Sequence, residues 1–212
     1  RKEHAAIVSS SRPELMCHGV ESAAELKPLL EKASIVAIGP GLGTSKWAEA
    51  LKSEVMASEL PLIVDADALN LLAKEKFRRD NWVLTPHPGE AARLLGVEIE
   101  SVQNDRFNTV TQLMQQFDGI AVLKGAGTLI DRKNKPFAIC PGGNPGMDSG
   151  GMGDVLTGVI AGLMAQGIPN FDAAKLGVCI HARAADMAVG SIGERGLLAT
   201  DLMSGLRRLV NP

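Results

Sequence analysis

The chain of 212 residues contains 45% hydrophobic residues and carries a formal net charge of −2, so it can build one apolar core as a single domain. Its charge balance argues against nucleic acid as a partner, and no apolar run approaches the roughly 20 residues of a membrane span. Three scattered cysteines, Cys17, Cys140 and Cys179, are typical of reduced thiols in the cytoplasm rather than of a disulfide framework or a zinc site.

Four short apolar runs predict four buried strands in the first part of the chain. Residues 34–38, 61–64, 82–84 and 120–123 are apolar without alternation, as in strands that are covered on both faces. Helical patterns lie between them, at residues 46–57, 68–74, 90–95 and 104–117. Alternating strands and helices predict an α/β fold with a parallel sheet covered by helices.

Each predicted strand is followed at once by a run of glycines or polar residues. These runs are residues 39–43, 65–70, 85–90 and 124–128. Ligands of open α/β sheets bind outside the carboxyl ends of the strands. We therefore expect all four loops to lie along one edge of the molecule and to contribute to its site.

The pattern changes after Thr128. Residues 128–131 and 136–139 predict a hairpin around residues 132–135, and helical patterns fill residues 154–166, 172–189 and 200–209. Gly158 and Gly162 lie on one face of the first of these helices. That spacing indicates close packing against a neighbouring helix or strand.

The most informative segment is the glycine-rich stretch 143–153, which runs directly into a helical pattern at Asp154. Glycine lets backbone N–H groups approach a phosphate closely, and a helix N-terminus adds free donors and a partial positive charge. Together they predict an anion site. Asp154 would repel a phosphate there, but it is well placed to take a proton from a hydroxyl that attacks a phosphoryl group. The alternative is that Asp154 only caps the helix and the glycines only form a turn.

Five motifs in order along the chain carry a resemblance to a known family. They are Gly39-Pro40-Gly41-Leu42-Gly43, Asp65-Ala66-Asp67-Ala68-Leu69-Asn70, Thr85-Pro86-His87-Pro88-Gly89-Glu90, Lys124-Gly125-Ala126-Gly127-Thr128 and Gly150-Gly151-Met152-Gly153-Asp154. With these motifs, the chain from about Arg12 to Pro212 resembles the NAD(P)H-hydrate dehydratases of the ribokinase-like superfamily. The resemblance implies a three-layer α/β/α fold with a mostly parallel central sheet.

The resemblance also implies a lyase that repairs NADH or NADPH hydrated on the nicotinamide ring (NADHX or NADPHX). The ring hydroxyl is phosphorylated by ADP or ATP, with Mg²⁺ as the implied metal, and phosphate then leaves to restore the double bond. The Lys-Gly-Ala-Gly-Thr form of the nucleotide loop looks like the bacterial, ADP-using branch. The family further implies a homo-oligomer such as a tetramer, and fusion to, or partnership with, an NAD(P)H-hydrate epimerase.

Residue roles follow from the same resemblance. Asp154 is implied to be the catalytic base and to contact the substrate. The other residues implied to bind the hydrated dinucleotide are Gly41, Gly43, His87, Pro88, Gly89, Glu90 and Arg93. Those implied to bind the nucleotide are Lys124, Gly125, Ala126, Gly127, Thr128, Asn144, Gly150, Gly151, Met152 and Gly153.

Several of these residues also have a purely structural interpretation. Lys124 could be a solvated lysine, and His87 a turn residue between two prolines. Glu90 has the spacing by which many ribokinase-like kinases hold magnesium through water, but a glutamate at a helix start is favourable without any function. Asp65 and Asp67 are candidate metal or ribose ligands, and Asp67 equally suits the N-cap of the helix that follows.

Two features depart from the family pattern. Asp148 stands where family members usually have a small residue, and its charge would oppose an incoming anion unless it points outward or helps to hold magnesium. The family domain normally begins upstream, with a strand, a glycine-rich turn and an alanine-rich helix. We therefore expect residues 1–212 to form a single domain of this kind that is incomplete at its N-terminus.

Two other functions remain open from the sequence. A ribokinase-like kinase that phosphorylates a small alcohol, such as a thiazole or pyridine carbinol, would use the same Gly-Gly-x-Gly-Asp site. An inactive nucleotide-binding fragment is the other alternative, if the upstream part is essential. The Thr-Pro-His-Pro-Gly-Glu motif and residues 144–147 favour the dehydratase.

Overall fold

A six-stranded sheet forms the centre of the computed structural model, which describes residues 1–75 and 77–211. The strands are β1 (Val36–Ile38), β2 (Leu62–Val64), β3 (Trp82–Leu84), β4 (Ile120–Leu123), β5 (Thr128–Arg132) and β6 (Ala138–Cys140). Their spatial order is the same as their chain order. β1 to β4 are parallel, and the hairpin of β5 and β6 extends the sheet in antiparallel fashion. The predicted mostly parallel sheet and the predicted hairpin are both confirmed.

Ten α-helices surround this sheet in the described ranges. They are α1 (Lys2–Ser11), α2 (Ala23–Leu30), α3 (Lys46–Ala57), α4 (Ala66–Leu72), α5 (Pro88–Leu95), α6 (Ile99–Asn104), α7 (Arg106–Phe117), α8 (Met152–Ala165), α9 (Asn170–Ile192) and α10 (Leu202–Leu209). Short 3₁₀ turns at Pro145–Met147 and Ala199–Asp201 precede α8 and α10.

The helix boundaries show where local sequence signals succeed and where they fail. α3 has the predicted bounds, but α1 has no buried residue and therefore no apolar stripe by which to predict it. The helix predicted over residues 104–117 begins instead at Arg106. Asp105 is the reason, because it ends α6 with an extended φ of −140° and its carboxylate caps α7 by accepting from the Asn108 N–H at 3.0 Å.

β2, β3 and β4 are buried along their whole length, as their continuous apolar sequence predicts. β1 lies at the edge of the sheet, and its Ala37 is exposed, so the predicted burial on both faces is wrong for that strand. Leu62 and Val64 of β2 point into a core shared with α3 to α7. Ile63, between them, points into a second core shared with α8 and α9. The parallel strands β1 to β4 follow one another in space in chain order. Right-handed crossover connections between them therefore place α3 to α7 on the same face of the sheet. α8 and α9 cover the other face, which brings the glycine-rich segment before α8 towards the sheet.

Composition-based expectations can be compared with this fold. All three cysteines are free thiols, as expected. Cys140 is buried, and Cys179 is exposed. None of the helices in the described ranges combines the length and hydropathy that a membrane crossing requires.

The expectation of close packing at the two α8 glycines is wrong. Gly158 and Gly162 both lie on the exposed face of α8. A Cβ atom built on either residue would meet no described atom within 4 Å. In this chain, Gly158 and Gly162 therefore lie on a helix face that packs against no other described element.

Replacing Gly158 with alanine should raise the free energy of unfolding by about 0.5–1 kcal/mol, because alanine loses less conformational entropy than glycine in a helix interior. Urea unfolding measures this change. Gly177→Ala is the matched control, because its Cβ would lie 2.7 Å from Ile160 Cγ1 and should destabilise the fold. A loss of stability in Gly158→Ala would mean that this face is covered in solution.

Candidate active site

The four loops that follow β1 to β4 meet at the carboxyl edge of the sheet. The backbone N–H of Gly43 donates to Asp67 Oδ2 at 2.8 Å, which joins the first loop to the second. Lys124 Nζ lies 2.7 Å from Asp65 Oδ1 and 3.7 Å from Glu90 Oε2, which joins the fourth loop to the second and third. The prediction that these loops share one edge is confirmed.

The glycine-rich segment reaches the same edge and ends at the first turn of α8. Gly151 is the N-cap of that helix, with a left-handed φ of +86° that favours glycine. It offers no side-chain acceptor to the first N–H groups of α8. The Met152 N–H donates to the Ser149 carbonyl at 3.4 Å, and the N–H groups of Gly153 and Asp154 are the donors that could meet a ligand. Asp154 is the third residue of the helix, and its side chain is exposed. Asp154 is therefore not the N-cap.

A carboxylate on α9 shapes the beginning of the glycine-rich segment. Asp186 accepts from the Gly143 N–H at 3.2 Å and from Asn144 Nδ2 at 2.9 Å. Asn144 Oδ1 is buried and has no hydrogen-bond partner among the described residues. No sequence motif identifies Asp186, whose only signal is a carboxylate in an otherwise alanine-rich stretch of helix.

His87 and Glu90 together form the start of α5. His87 Nδ1 accepts from the N–H groups of Gly89 at 3.0 Å and Glu90 at 3.4 Å, and Glu90 Oε2 accepts from the His87 N–H at 2.8 Å. This is a reciprocal capping box. Partial burial lowers the pKa of His87, and the nearby Glu90 carboxylate partly opposes that effect. His87 thus has the turn role that the sequence allowed, and its contact with a substrate stays a prediction.

Arg106, the first residue of α7, hydrogen-bonds to the loop between β4 and β5. Its guanidinium donates to the carbonyl oxygens of Ala126 and, at 3.3 Å, Leu123. Gly125 and Gly127 adopt φ values of +140° and +66° in this loop. No sequence motif identifies Arg106. Its one signal is its position, because a cation at a helix N-terminus is unfavourable with the helix dipole and indicates a role outside the helix.

The remaining predicted site residues lie at the same edge. Gly41 and Gly43 have φ values of +64° and +72° and open space around them. Arg93 donates to Asn70 Oδ1 at 2.8 Å, and the Thr128 hydroxyl donates to the Gly125 carbonyl at 3.0 Å. Pro88 is the first residue of α5, where its missing N–H is harmless.

The comparisons with known proteins agree with this architecture. A family model described as NAD(P)H-hydrate dehydratase matches residues 1–208. The chain belongs to the NAD(P)H-hydrate dehydratase family.

Individual relatives support the same assignment. A bifunctional NAD(P)H-hydrate repair enzyme Nnr from Coxiella burnetii is 55% identical over 212 residues, which are 100% of this chain and 43% of that protein. An ADP/ATP-dependent NAD(P)H-hydrate dehydratase from Bacillus subtilis, co-crystallised with ATP/Mg²⁺, is 32% identical, with a TM-score of 0.76 over 84% of this chain and 64% of that one. A ribokinase-like superfamily protein from Enterococcus faecalis is 30% identical, with a TM-score of 0.86 over 96% of this chain and 72% of that one. The chain spans about two fifths of the length of the first curated relatives it matches.

Two further carboxylates that the sequence singles out, Asp148 and Asp67, have different surroundings. Asp148, the residue that departs from the family pattern, is exposed. Asp65, and not Asp67, occupies the N-cap position of α4, so the expected N-cap role of Asp67 is wrong. Asp67 instead accepts from the Gly43 N–H, as described above.

The carboxylates of this candidate site do not form a metal cage in the described residues. The described residues contain no group of three or more His, Cys, Asp or Glu side chains placed to hold a metal ion. Glu90 is buried and bonded to the His87 N–H, and Asp65 is buried beside Lys124. Mg²⁺ usually binds through one or two carboxylates together with substrate phosphates and water, and only that arrangement fits these residues.

His181 lies on α9, next to the backbone of Met152 at the start of α8. The residue is buried, and its Nε2 atom has no hydrogen-bond partner among the described residues. Burial lowers the pKa of His181 to about 4, and the charge of Lys124 acts in the same direction. The backbone of Met152 acts in the opposite direction.

The low pKa of His181 predicts a loss of stability on the acid side. Above the ordinary histidine pKa of about 6.5, both folded and unfolded chains carry the neutral imidazole. As pH falls from about 6.5 towards 4, only the unfolded state takes up the proton, and at pH 5 this costs about 2 kcal/mol. We expect His181→Leu to lose less stability than the unaltered chain between pH 7.5 and pH 5 in urea unfolding. An equal loss in both proteins would exclude His181 as a cause.

Proposed function

We propose that this chain dehydrates NADHX and NADPHX with ADP as the phosphate donor. Asp154 takes the proton of the ring hydroxyl, and the hydroxyl oxygen attacks the terminal phosphoryl group of ADP, so that AMP leaves. The phosphorylated ring then loses phosphate and a proton, which restores the carbon–carbon double bond. Hydrated NADH and ADP thus give NADH, AMP and phosphate.

The observation that carries this proposal is the arrangement at the first turn of α8. The N-cap of α8 is Gly151, so no side chain caps this helix. Asp154, the third residue of the helix, has an exposed carboxylate. The ammonium group of Lys124 lies beside Gly153, the residue directly before Asp154. A base, an anion site and a cation therefore lie together, as phosphoryl transfer to a hydroxyl requires.

The other loops at this edge supply the remaining contacts of the proposed reaction. We assign the nucleotide to the loop from Lys124 to Thr128 and to Asn144, with Gly150, Gly151, Met152 and Gly153 at its phosphates. We assign the hydrated dinucleotide to Gly41 and Gly43 and to the start of α5, with His87, Pro88, Gly89, Glu90 and Arg93. Open space and positive φ at the two loop glycines support close approach of a ligand.

Mg²⁺ belongs to the proposal as a companion of the nucleotide. The Bacillus subtilis relative was co-crystallised with ATP/Mg²⁺. In this chain, Glu90 is the residue that we propose to hold the ion, through water. When bound, Mg²⁺ would neutralise phosphate charge during the transfer.

Assembly and partners are a further part of the proposal. We propose that residues 1–212 act as one ribokinase-like domain, in a homo-oligomer such as a tetramer, and work with an NAD(P)H-hydrate epimerase. The bifunctional name of the Coxiella burnetii relative, which is longer than this chain, supports the last point.

The test offers the chain hydrated NADH with ADP and Mg²⁺ and follows the recovery of the dihydronicotinamide absorbance. One AMP and one phosphate should appear for each NADH formed. A parallel reaction with a thiazole carbinol and ATP tests the kinase alternative. A stable phosphorylated alcohol, with no recovery of absorbance from hydrated NADH, would contradict the dehydratase and favour the kinase.

A further inference from the structure

Asp65 is the most deeply buried carboxylate at the carboxyl edge, with 1% of its surface exposed. It follows β2 directly and occupies the N-cap position of α4, yet its side chain accepts no hydrogen bond from that helix. An aspartate at an N-cap ordinarily accepts from an N–H two or three residues later. The carboxylate of Asp65 is therefore directed to other partners.

Those partners come from two distant parts of the chain. Asp65 Oδ1 lies 2.7 Å from Lys124 Nζ, and Oδ2 accepts from the Thr157 hydroxyl at 2.9 Å. Thr157 lies one turn after Asp154 on α8, and its side chain is buried. A buried carboxylate is stable only when it is paired and hydrogen-bonded, and both conditions hold here.

Lys124 is thereby fixed from two sides. Its side chain is 19% exposed, and Glu90 Oε2 lies 3.7 Å from Nζ as a second carboxylate neighbour beside Asp65. Glu90 is itself held by the His87 N–H. A free lysine has a flexible four-carbon stem, so two buried acceptors are needed to give its ammonium a defined position.

The absence of a side chain at Gly153 lets this pair touch α8. A Cβ on Gly153 would lie 3.3 Å from Lys124 Nζ and 3.5 Å from Asp65 Oδ2. The ammonium therefore lies against the first turn of α8, beside the residue that precedes Asp154. This is the end of the helix where the free N–H groups await an anion.

From this geometry we infer that Asp65 is a positioning residue that, with Thr157, holds the Lys124 ammonium where charge develops on the transferred phosphoryl group. Asp65 does not touch the substrate and acts only through Lys124. The inference rests on the proposed phosphoryl transfer. Misplacing a charged group by about 1 Å can cost about 10²-fold in rate, whereas ground-state binding of a nucleotide depends on many other contacts.

The test is a double-mutant cycle with Asp65→Asn and Lys124→Met. Asparagine keeps the size of Asp65 and its acceptor for Thr157, but removes the charge that holds Lys124. We expect Asp65→Asn to lower kcat about 10–100-fold, with the Kd for ADP, measured by calorimetry, within about threefold of wild type. In the Lys124→Met background, the same change should lower kcat by less than about threefold, because nothing remains to be positioned.

Asp131→Asn is the matched control, since Asp131 is a buried carboxyl on β5 outside the site. It should keep kcat near the wild-type value. If Asp65→Asn fails to fold, Thr157→Val and Thr157→Ser replace it, with a loss of kcat in the valine variant and rescue in the serine variant.

The outcomes separate this inference from the proposed function. Wild-type protein that binds ADP but does not restore NADH would overturn the proposed function and this inference with it. Wild-type turnover with an Asp65→Asn or Thr157→Val kcat within twofold would overturn the inference alone. The inference would also be overturned if Asp65→Asn lowered kcat as much in the Lys124→Met background as it does in the wild-type protein, because Asp65 would then not act through Lys124.

Discussion

Asp154→Asn should abolish turnover while leaving the affinity for ADP unchanged or slightly increased. The carboxylate is proposed to move a proton, and its negative charge does not attract a phosphate. Loss of a general base typically lowers the rate about 10²–10⁴-fold. The fall should appear in kcat, measured by recovery of the dihydronicotinamide absorbance, and the Kd for ADP should be measured by calorimetry on the same sample.

Asp148→Asn is the control for this experiment. Asp148 is also an exposed carboxylate of the glycine-rich segment, six residues before Asp154, and its removal changes the charge of the loop equally. It should keep turnover near the wild-type value, because the side chain faces solvent. Near wild-type turnover in Asp154→Asn would remove Asp154 from the mechanism.

Gly151→Val should weaken ADP binding at least tenfold and lower the melting temperature only modestly. Gly151 has a φ of +86°, which a β-branched residue adopts at a cost of about 1–2 kcal/mol. Its Cβ would also lie in a tight contact, 3.3 Å from the Ala199 Cβ, and the valine methyl groups would occupy space beside the N–H groups that a phosphate approaches. Calorimetric titration with ADP and thermal melting of the same variant measure the two effects.

Gly158→Ala serves as the comparison, since it changes a glycine of the same helix that faces open space. It should bind ADP as the unaltered chain does. A large melting loss in Gly151→Val with intact ADP affinity would mean that Gly151 is needed for packing and not for the anion.

The sequence by itself determined the order of the elements and the edge at which the site forms. Short apolar runs without alternation predicted β1 to β4, since strands covered on both faces bury every side chain. Alternation with helices implied a parallel sheet, and parallel strands place their following loops at one edge. Glycine at the start of α8 predicted the anion site, because that signal is local: a backbone conformation and a helix end.

Only the tertiary structure decided which partner each buried polar group has at that edge. Asp65 occupies the N-cap position of α4, but its carboxylate pairs with Lys124, 59 residues away, and with Thr157, 92 residues away. Asp186 and Arg106 hydrogen-bond to loops of the site from α9 and α7, and the local sequence of those helices does not indicate which loops they contact. The physical reason is that a buried charge must be paired, and the pairing depends on which distant elements the fold brings within about 3 Å, which no local pattern encodes.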